Sequence, residues 1–143
     1  MKYTSYSYPS GRAEVAAFVV TGGVTEYHVM IHATDPKQTY REQMNVVLDA
    51  YAALLKKELS VAVFKRYFLS DAANQAELLL AATAESSDCA LSVVEQPPLD
   101  GTKIALWAYL QTDVQTRVLP NGLYEVKHGV YRQLWMGGSF NRA

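Results

Sequence analysis

The sequence predicts a single α+β domain, in which a mixed β-sheet carries two helices on one face and further strands follow at the C-terminal end. Three observations lead there. Short β-rich runs bounded by Gly, Pro, Asn and Ser interleave with two stretches of helical periodicity, in the order β-β-α-β-α-β-β. The chain has 143 residues, the size of one domain. Hydrophobic residues make up 50% of it, enough for a core without a disulfide or metal staple.

Residues 13–20 (AEVAAFVV) are apolar and end at Thr21-Gly22-Gly23, a turn signal, and residues 24–33 (VTEYHVMIHA) follow, so the two read as a β-hairpin. Strand alternation puts Tyr27, Val29 and Ile31 on one face and Glu26, His28, Met30 and His32 on the other. Thr39 opens a helix, because Thr39-Tyr40-Arg41-Glu42 fits a capping box in which hydroxyl and carboxylate reciprocally satisfy free amides. Met44, Val47, Leu48, Tyr51 and Leu55 then recur as an apolar stripe, and the helix should end near Glu58. Residues 59–69 (LSVAVFKRYFL) are rich in β-formers and read as a strand. Ser70 and Asp71 suit the N-cap of a second helix over residues 72–84, with Ala76, Leu79, Leu80 and Thr83 on one side. A polar loop at residues 85–88 leads to a strand over 90–96, a loop over 97–102 and a strand over 103–111. In that last strand Ile104, Leu106, Ala108 and Leu110 share the face expected under the helices, and Ala105, Trp107 and Tyr109 share the opposite one.

In the remaining segment Pro120-Asn121-Gly122 sits between RVL and LYEV. Asn-Gly is the preferred two-residue hairpin turn because both residues tolerate positive φ, so strands are expected over 115–119 and 123–127. Residues 131–136 (YRQLWM) read as one more short strand, ended by Gly137-Gly138. The sheet face away from the helices still carries apolar side chains. A chain of this length is expected to have no third layer for it, which implies self-association.

Composition narrows the function classes. Lys and Arg number 13 against 14 Asp and Glu, a net charge of -1, which argues against a nucleic-acid partner. The 10 tyrosines suit either subunit interfaces or ordinary strands. Cys89 is the single cysteine, so no intrachain disulfide forms and a cytoplasmic setting is the simplest expectation. The N-terminal residues lack a signal-peptide apolar run, and no stretch approaches the roughly 20 residues needed to span a bilayer, so no membrane partner is expected.

Few residues suggest chemistry directly. His28 and His32, four apart on a strand, are separated by about 13 Å, too far to share one zinc ion. No metal and no cofactor is expected, and no Walker-type or dinucleotide glycine pattern occurs. Ser92 lacks a His-Asp pattern beside it, and Cys89 lacks a basic neighbour to activate it. Lys65-Arg66 lies mid-strand, and whichever side chain points inward needs a partner, with an intersubunit pair to Glu95 as one option. His128, Tyr131, Arg132 and Trp135 form a polar-aromatic cluster that either lines a cleft or belongs to an exposed terminal strand.

Residues 89–110, CALSVVEQPPLDGTKIALWAYL, resemble the C-terminal strand pair of the RidA/YjgF-like family, the reactive-intermediate deaminases also labelled endoribonuclease L-PSP or translation-inhibitor proteins. The likeness covers about residues 13–111, through AVFKRYFLSD, Asn74, and Ser92-Val93-Val94-Glu95 followed by TKIALWAYL, and leaves 112–143 as an extension. It implies a chorismate-mutase-like, YjgF-like fold and a homotrimer with clefts between subunits. In the family's deaminases a cleft arginine binds the carboxylate of an imino acid, and a glutamate with an ordered water assists hydrolysis of the imine. Those positions are Leu91 and Trp107 here. Leucine offers no donor, and tryptophan offers one N–H and no carboxylate. The expected cleft residues are Leu91, Val93, Glu95, Trp107, Tyr109, Asn74 and Arg132. Trp107 and Tyr109 either stack on a planar or apolar ligand or pack against a neighbouring subunit. The expectation is a divergent trimer that binds a small molecule and lacks the deaminase pair. One alternative is an imine or enamine hydrolase with Arg132 as substitute anchor. Another is the RNA cleavage of the older label, against which the near-neutral charge weighs.

Overall fold

Alternation and capping in the sequence become two sheets and two helices in the computed structural model, which describes residues 1–20, 23–58, 60–84 and 89–137. The elements of the larger unit are β1 (Lys2–Tyr8), β2 (Gly11–Val19), β3 (Thr25–Ala33), α1 (Tyr40–Glu58), β4 (Val61–Leu69), α2 (Ala72–Thr83), β5 (Ala90–Glu95) and β6 (Ile104–Gln111). Its six strands form one sheet in the order β1-β2-β3-β6-β4-β5, with β4 and β5 parallel and the other pairs antiparallel. The α+β class read from the sequence is therefore observed. The β1 strand was not anticipated, although Tyr8-Pro9-Ser10-Gly11 is a turn signal and Ser10 adopts a φ of 59° there. Thr21, Gly22, Leu59, residues 85–88 and Gly138, which belong to the expected turn, strand start, loop and strand end, lie outside the described residues.

The capping box forms as read. The Glu42 amide donates to Thr39 Oγ1 at 3.2 Å, and the Thr39 amide donates to Glu42 Oε1 at 3.1 Å. Of the expected stripe Met44, Val47 and Tyr51 are buried, Leu48 and Leu55 pack at its margin, and Ala50 and Leu54 complete it. Gln43 is also fully buried. Its amide donates to the Gln38 carbonyl at 2.9 Å, and its oxygen accepts the Lys103 N–H at 2.8 Å, which ties α1 to the approach to β6. Beneath the helices Ile104, Leu106, Ala108 and Leu110 are fully buried, with Val29, Ile31 and Tyr67 beside them.

The start of α2 corrects the expected cap. The Asp71 side chain makes no hydrogen bond to the helix amides. Instead the Ala72 N–H donates to Glu95 Oε1 at 3.0 Å, and the Asp71 N–H donates to Gln75 Oε1 at 3.0 Å. Asp71 Oδ2 is taken by the Asn74 amide at 2.6 Å. Leu80, expected inside, is exposed, while Ala76, Leu79 and Thr83 are buried.

The C-terminal strands β7 (Gln115–Val118), β8 (Leu123–His128) and β9 (Tyr131–Met136) form a separate antiparallel sheet. Their first turn is not the expected two-residue Asn-Gly hairpin. Pro120–Gly122 makes one 3-10 turn, closed by the Leu119 N–H donating to the Leu123 carbonyl at 2.7 Å, with Gly122 at a φ of 74°. This small sheet also corrects the expectation that no third layer exists. Val126, with Tyr124, Val114 and Trp135 at its margin, packs on Val63, Phe64, Ala90 and Tyr109 of the face opposite the helices. A three-stranded meander has enough apolar side chains to cover that part of the sheet, and the rest of the face stays partly open.

Candidate functional site

Strand register organises the outer face, the one opposite the helices, into rows. One row joins His28, Tyr109, Phe64 and Ala90; the next joins Met30, Trp107, Arg66 and Ser92; a third joins His32, Ala105, Phe68 and Val94. The first row lies under the C-terminal sheet, where Trp135 packs at 5.6 Å from both the Phe64 and Tyr109 rings. His28 stacks on Tyr109 at 5.0 Å and meets Phe18 edge-on at 5.4 Å. The second and third rows are less covered. Trp107 is half-buried and packs 6.0 Å from Phe64 and 6.1 Å from His28. Beside the third row, Pro97, Pro98 and Leu99 border a cavity of about 340 Å³ that reaches Met30, His32 and Phe68.

Arg66 is the one cation of the second row. Its guanidinium lies 5.5 Å from the centre of the Phe64 ring, and its Nε is buried with no hydrogen-bond partner among the described residues. The adjacent Lys65 points the other way, toward α1, with Nζ 5.1 Å from the centre of the Tyr51 ring. The mid-strand pair thus splits across the sheet. Glu95, the partner considered for it, is committed to the first turn of α2.

The structure does not gather the seven expected cleft residues. Trp107 and Tyr109 are on the outer face, whereas Leu91 and Val93 pack into the core on the helix side. The reason is register. Leu91 pairs with Lys65, and Lys65 pairs with Ala108, so Leu91 falls on the face of Ala108 rather than of Trp107. Asn74 sits on the first turn of α2, bonded to Asp71. Arg132 donates from its Nε to Glu125, whose other oxygen is 3.4 Å from Arg117, and it sits on β9 opposite Lys127, outside the row of Trp107 and Arg66. The His128 cluster also divides: His128 Nδ1 is 2.8 Å from the Asp113 carbonyl, while Trp135 packs on the large sheet. Tyr131 and Arg132 are exposed on β9, and with His128 they also border a cavity shared with Glu26 and Gln111, so both readings of the cluster are met in part.

Cys89 is buried in the core beneath the helices. Among the described residues no three His, Cys, Asp or Glu side chains come together as a metal site, and no helix is long and apolar enough to cross a membrane. What the outer face offers is stacking surface beside the Arg66 guanidinium; Arg12, across from His32 on the same face, is ion-paired with Glu14. Arg66 was seen in the sequence only as a charge in need of a partner, since its face depends on pairing with strands far along the chain. Compared with protein-family models, curated proteins and solved structures, the chain matches none.

Proposed function

We propose that this chain is a divergent, non-deaminase protein of RidA/YjgF-like, chorismate-mutase-like architecture that forms a homotrimer and binds a small planar acid in clefts between its subunits. The observation that carries the reading is Arg66, with its buried Nε unpartnered, its guanidinium over the Phe64 ring and Trp107 as its cross-strand neighbour. A guanidinium presents a planar fork to a carboxylate, and adjacent rings stack on a planar body. Two helices on one face of a mixed sheet, with the opposite face partly open, support the architecture. Half-buried Trp107, Phe68 and Met30 beside a fully exposed Leu99 give a neighbouring copy an apolar surface to cover. A cytoplasmic setting belongs to the same reading.

Loss of imine hydrolysis follows from Leu91 and Trp107, neither of which supplies a cation or a carboxylate, and from Arg132 lying on β9, outside the row of Trp107 and Arg66. The test has two arms. Benzoate should quench tryptophan fluorescence saturably, and Arg66→Gln should weaken its binding by about tenfold, the scale of one charge-assisted contact. Keto acid and ammonia release from freshly generated 2-aminoacrylate should stay at background. Release well above background and sensitive to Arg132→Ala would overturn the non-deaminase reading, and benzoate binding indifferent to Arg66→Gln would overturn the site.

A further inference from the structure

A second cavity, of about 350 Å³, lies within one chain where the ends of β3 and β6 meet the C-terminal sheet. Val20, Val24, Val114 and Val126 form its apolar wall, and Glu26 and Gln111 contribute polar groups. Its size is within the range of small-molecule pockets. Glu26 and Gln111 are direct cross-strand partners, so the sheet fixes them side by side.

The hydrogen bonds around Glu26 have a direction. Gln111 Nε2 donates to Tyr109 Oη at 2.8 Å, and the Tyr109 hydroxyl donates in turn to Glu26 Oε2. A phenol that accepts the amide proton turns its own proton toward Glu26, so Glu26 acts as the acceptor at the end of the chain of hydrogen bonds. The Tyr109 phenol is pushed up to about 12, by burial first and then by this bond to Glu26, and so keeps its proton at neutral pH. The ion pairs among the described residues are Arg12–Glu14, Arg117–Glu125 and Arg132–Glu125, none of which reaches Glu26. Arg132 lines the same cavity but engages Glu125, so within the cavity Glu26 has the Tyr109 hydroxyl as its hydrogen-bond partner and no ion pair among the described residues, and an added cationic group would find a direct partner there. A metal ion would need more carboxylates or imidazoles than come together among the described residues.

We propose that this cavity binds a primary ammonium group on a compact apolar skeleton, with Glu26 as the counter-ion and the valines around the alkyl part. An alkylamine and an apolar α-amino acid share that chemistry. Arg132 also lines the cavity, and it engages Glu125 through Nε, which leaves its terminal N–H groups to meet the carboxylate of an amino acid. The site is independent of the outer-face reading, because it uses Glu26 rather than Arg66.

The test is an amide-resolved NMR titration of the full chain with isobutylamine, L-valine and isobutanol. Both nitrogen probes should shift the Glu26 and Gln111 signals saturably at millimolar concentration, and isobutanol, the same skeleton without the charge, should bind at least about tenfold more weakly. Glu26→Gln, which preserves the acceptor for Tyr109, should weaken both nitrogen probes by a similar factor. L-valine binding more tightly than isobutylamine, with Arg132→Gln erasing the difference, assigns an amino-acid site; the reverse order assigns an amine site. Failure of both probes, isobutanol binding as well as isobutylamine, or undiminished affinity in Glu26→Gln would each overturn the proposal. The isobutanol comparison needs no variant and decides the question even if Glu26→Gln does not fold.

Discussion

Replacing Glu95 separates a structural role from a cleft role. Glu95 Oε1 accepts the N–H of Ala72, a fully buried residue at the first position of α2, at 3.0 Å. Glu95→Ala removes that acceptor, and loss of an N-terminal cap costs about 1 kcal/mol. It also removes a negative charge from the positive end of the helix dipole, a further ~0.3–1 kcal/mol. The total is about 1–2 kcal/mol, which for a domain of this size lowers Tm by roughly 3–8 °C. Glu95→Gln keeps an oxygen acceptor and loses the charge alone, so its cost should be about 0.5 kcal/mol. Urea unfolding followed by circular dichroism reads both. The oligomeric state and benzoate affinity of Glu95→Ala should match wild type, since the side chain faces α2. Stability unchanged in Glu95→Ala, or equal losses in the two variants, would refute the capping argument. Lost benzoate binding at unchanged stability would return Glu95 to the cleft.

Three further outcomes follow from particular contacts. Gln43→Leu leaves the Lys103 N–H and the Gln38 carbonyl without their partner and should destabilise by roughly 2–4 kcal/mol, read as a lowered urea midpoint; a midpoint at the wild-type value would contradict it. The Tyr109 phenol lies well above its ordinary value of 10.0, at about 12, through burial and then its bond to Glu26. A raised acid stabilises the fold fully below the ordinary value, and that contribution is lost as pH climbs through the folded one. Tyr109→Phe should therefore lose less stability between those two pH values than wild type, although Tyr6 and Tyr40, also near 12, still contribute their own losses; superimposable pH profiles would argue against the assignment. In Gly137→Ala the new Cβ would collide with the Leu91 carbonyl oxygen and sit 2.5 Å from its nitrogen. The C-terminal sheet must then lift from β5, at a cost of about 1–3 kcal/mol, visible as faster amide exchange across residues 112–137, and unchanged exchange would show that the contact does not hold the sheet down.

What the sequence disclosed about the fold is what neighbouring residues decide. The capping box of α1, its apolar stripe and the alternation along β3 and β6 each need only a few adjacent positions, and each is found where expected. Relations between strands were less legible. Leu91 and Trp107 separate because two registers through β4 set their faces, with a bulge between Ala62 and Phe64 along the way. The cap of α2 comes from a residue 23 positions away, while the attractive local candidates Ser70 and Asp71 serve Gln75 and Asn74. The site residues follow the same rule. Glu26 acquires its meaning from Tyr109, 83 positions along the chain. Arg66 stands out once its row on the outer face is known.

The most direct test of the account is native mass spectrometry of the purified chain at micromolar concentration. The spectrum should show a species of three copies of the 15.9 kDa chain that takes up added benzoate, with uptake sharply reduced by Arg66→Gln while the trimer persists. A clean monomer, or a trimer whose benzoate uptake ignores Arg66→Gln, would contradict the proposal that copies of this chain build an acid-binding cleft on the outer face.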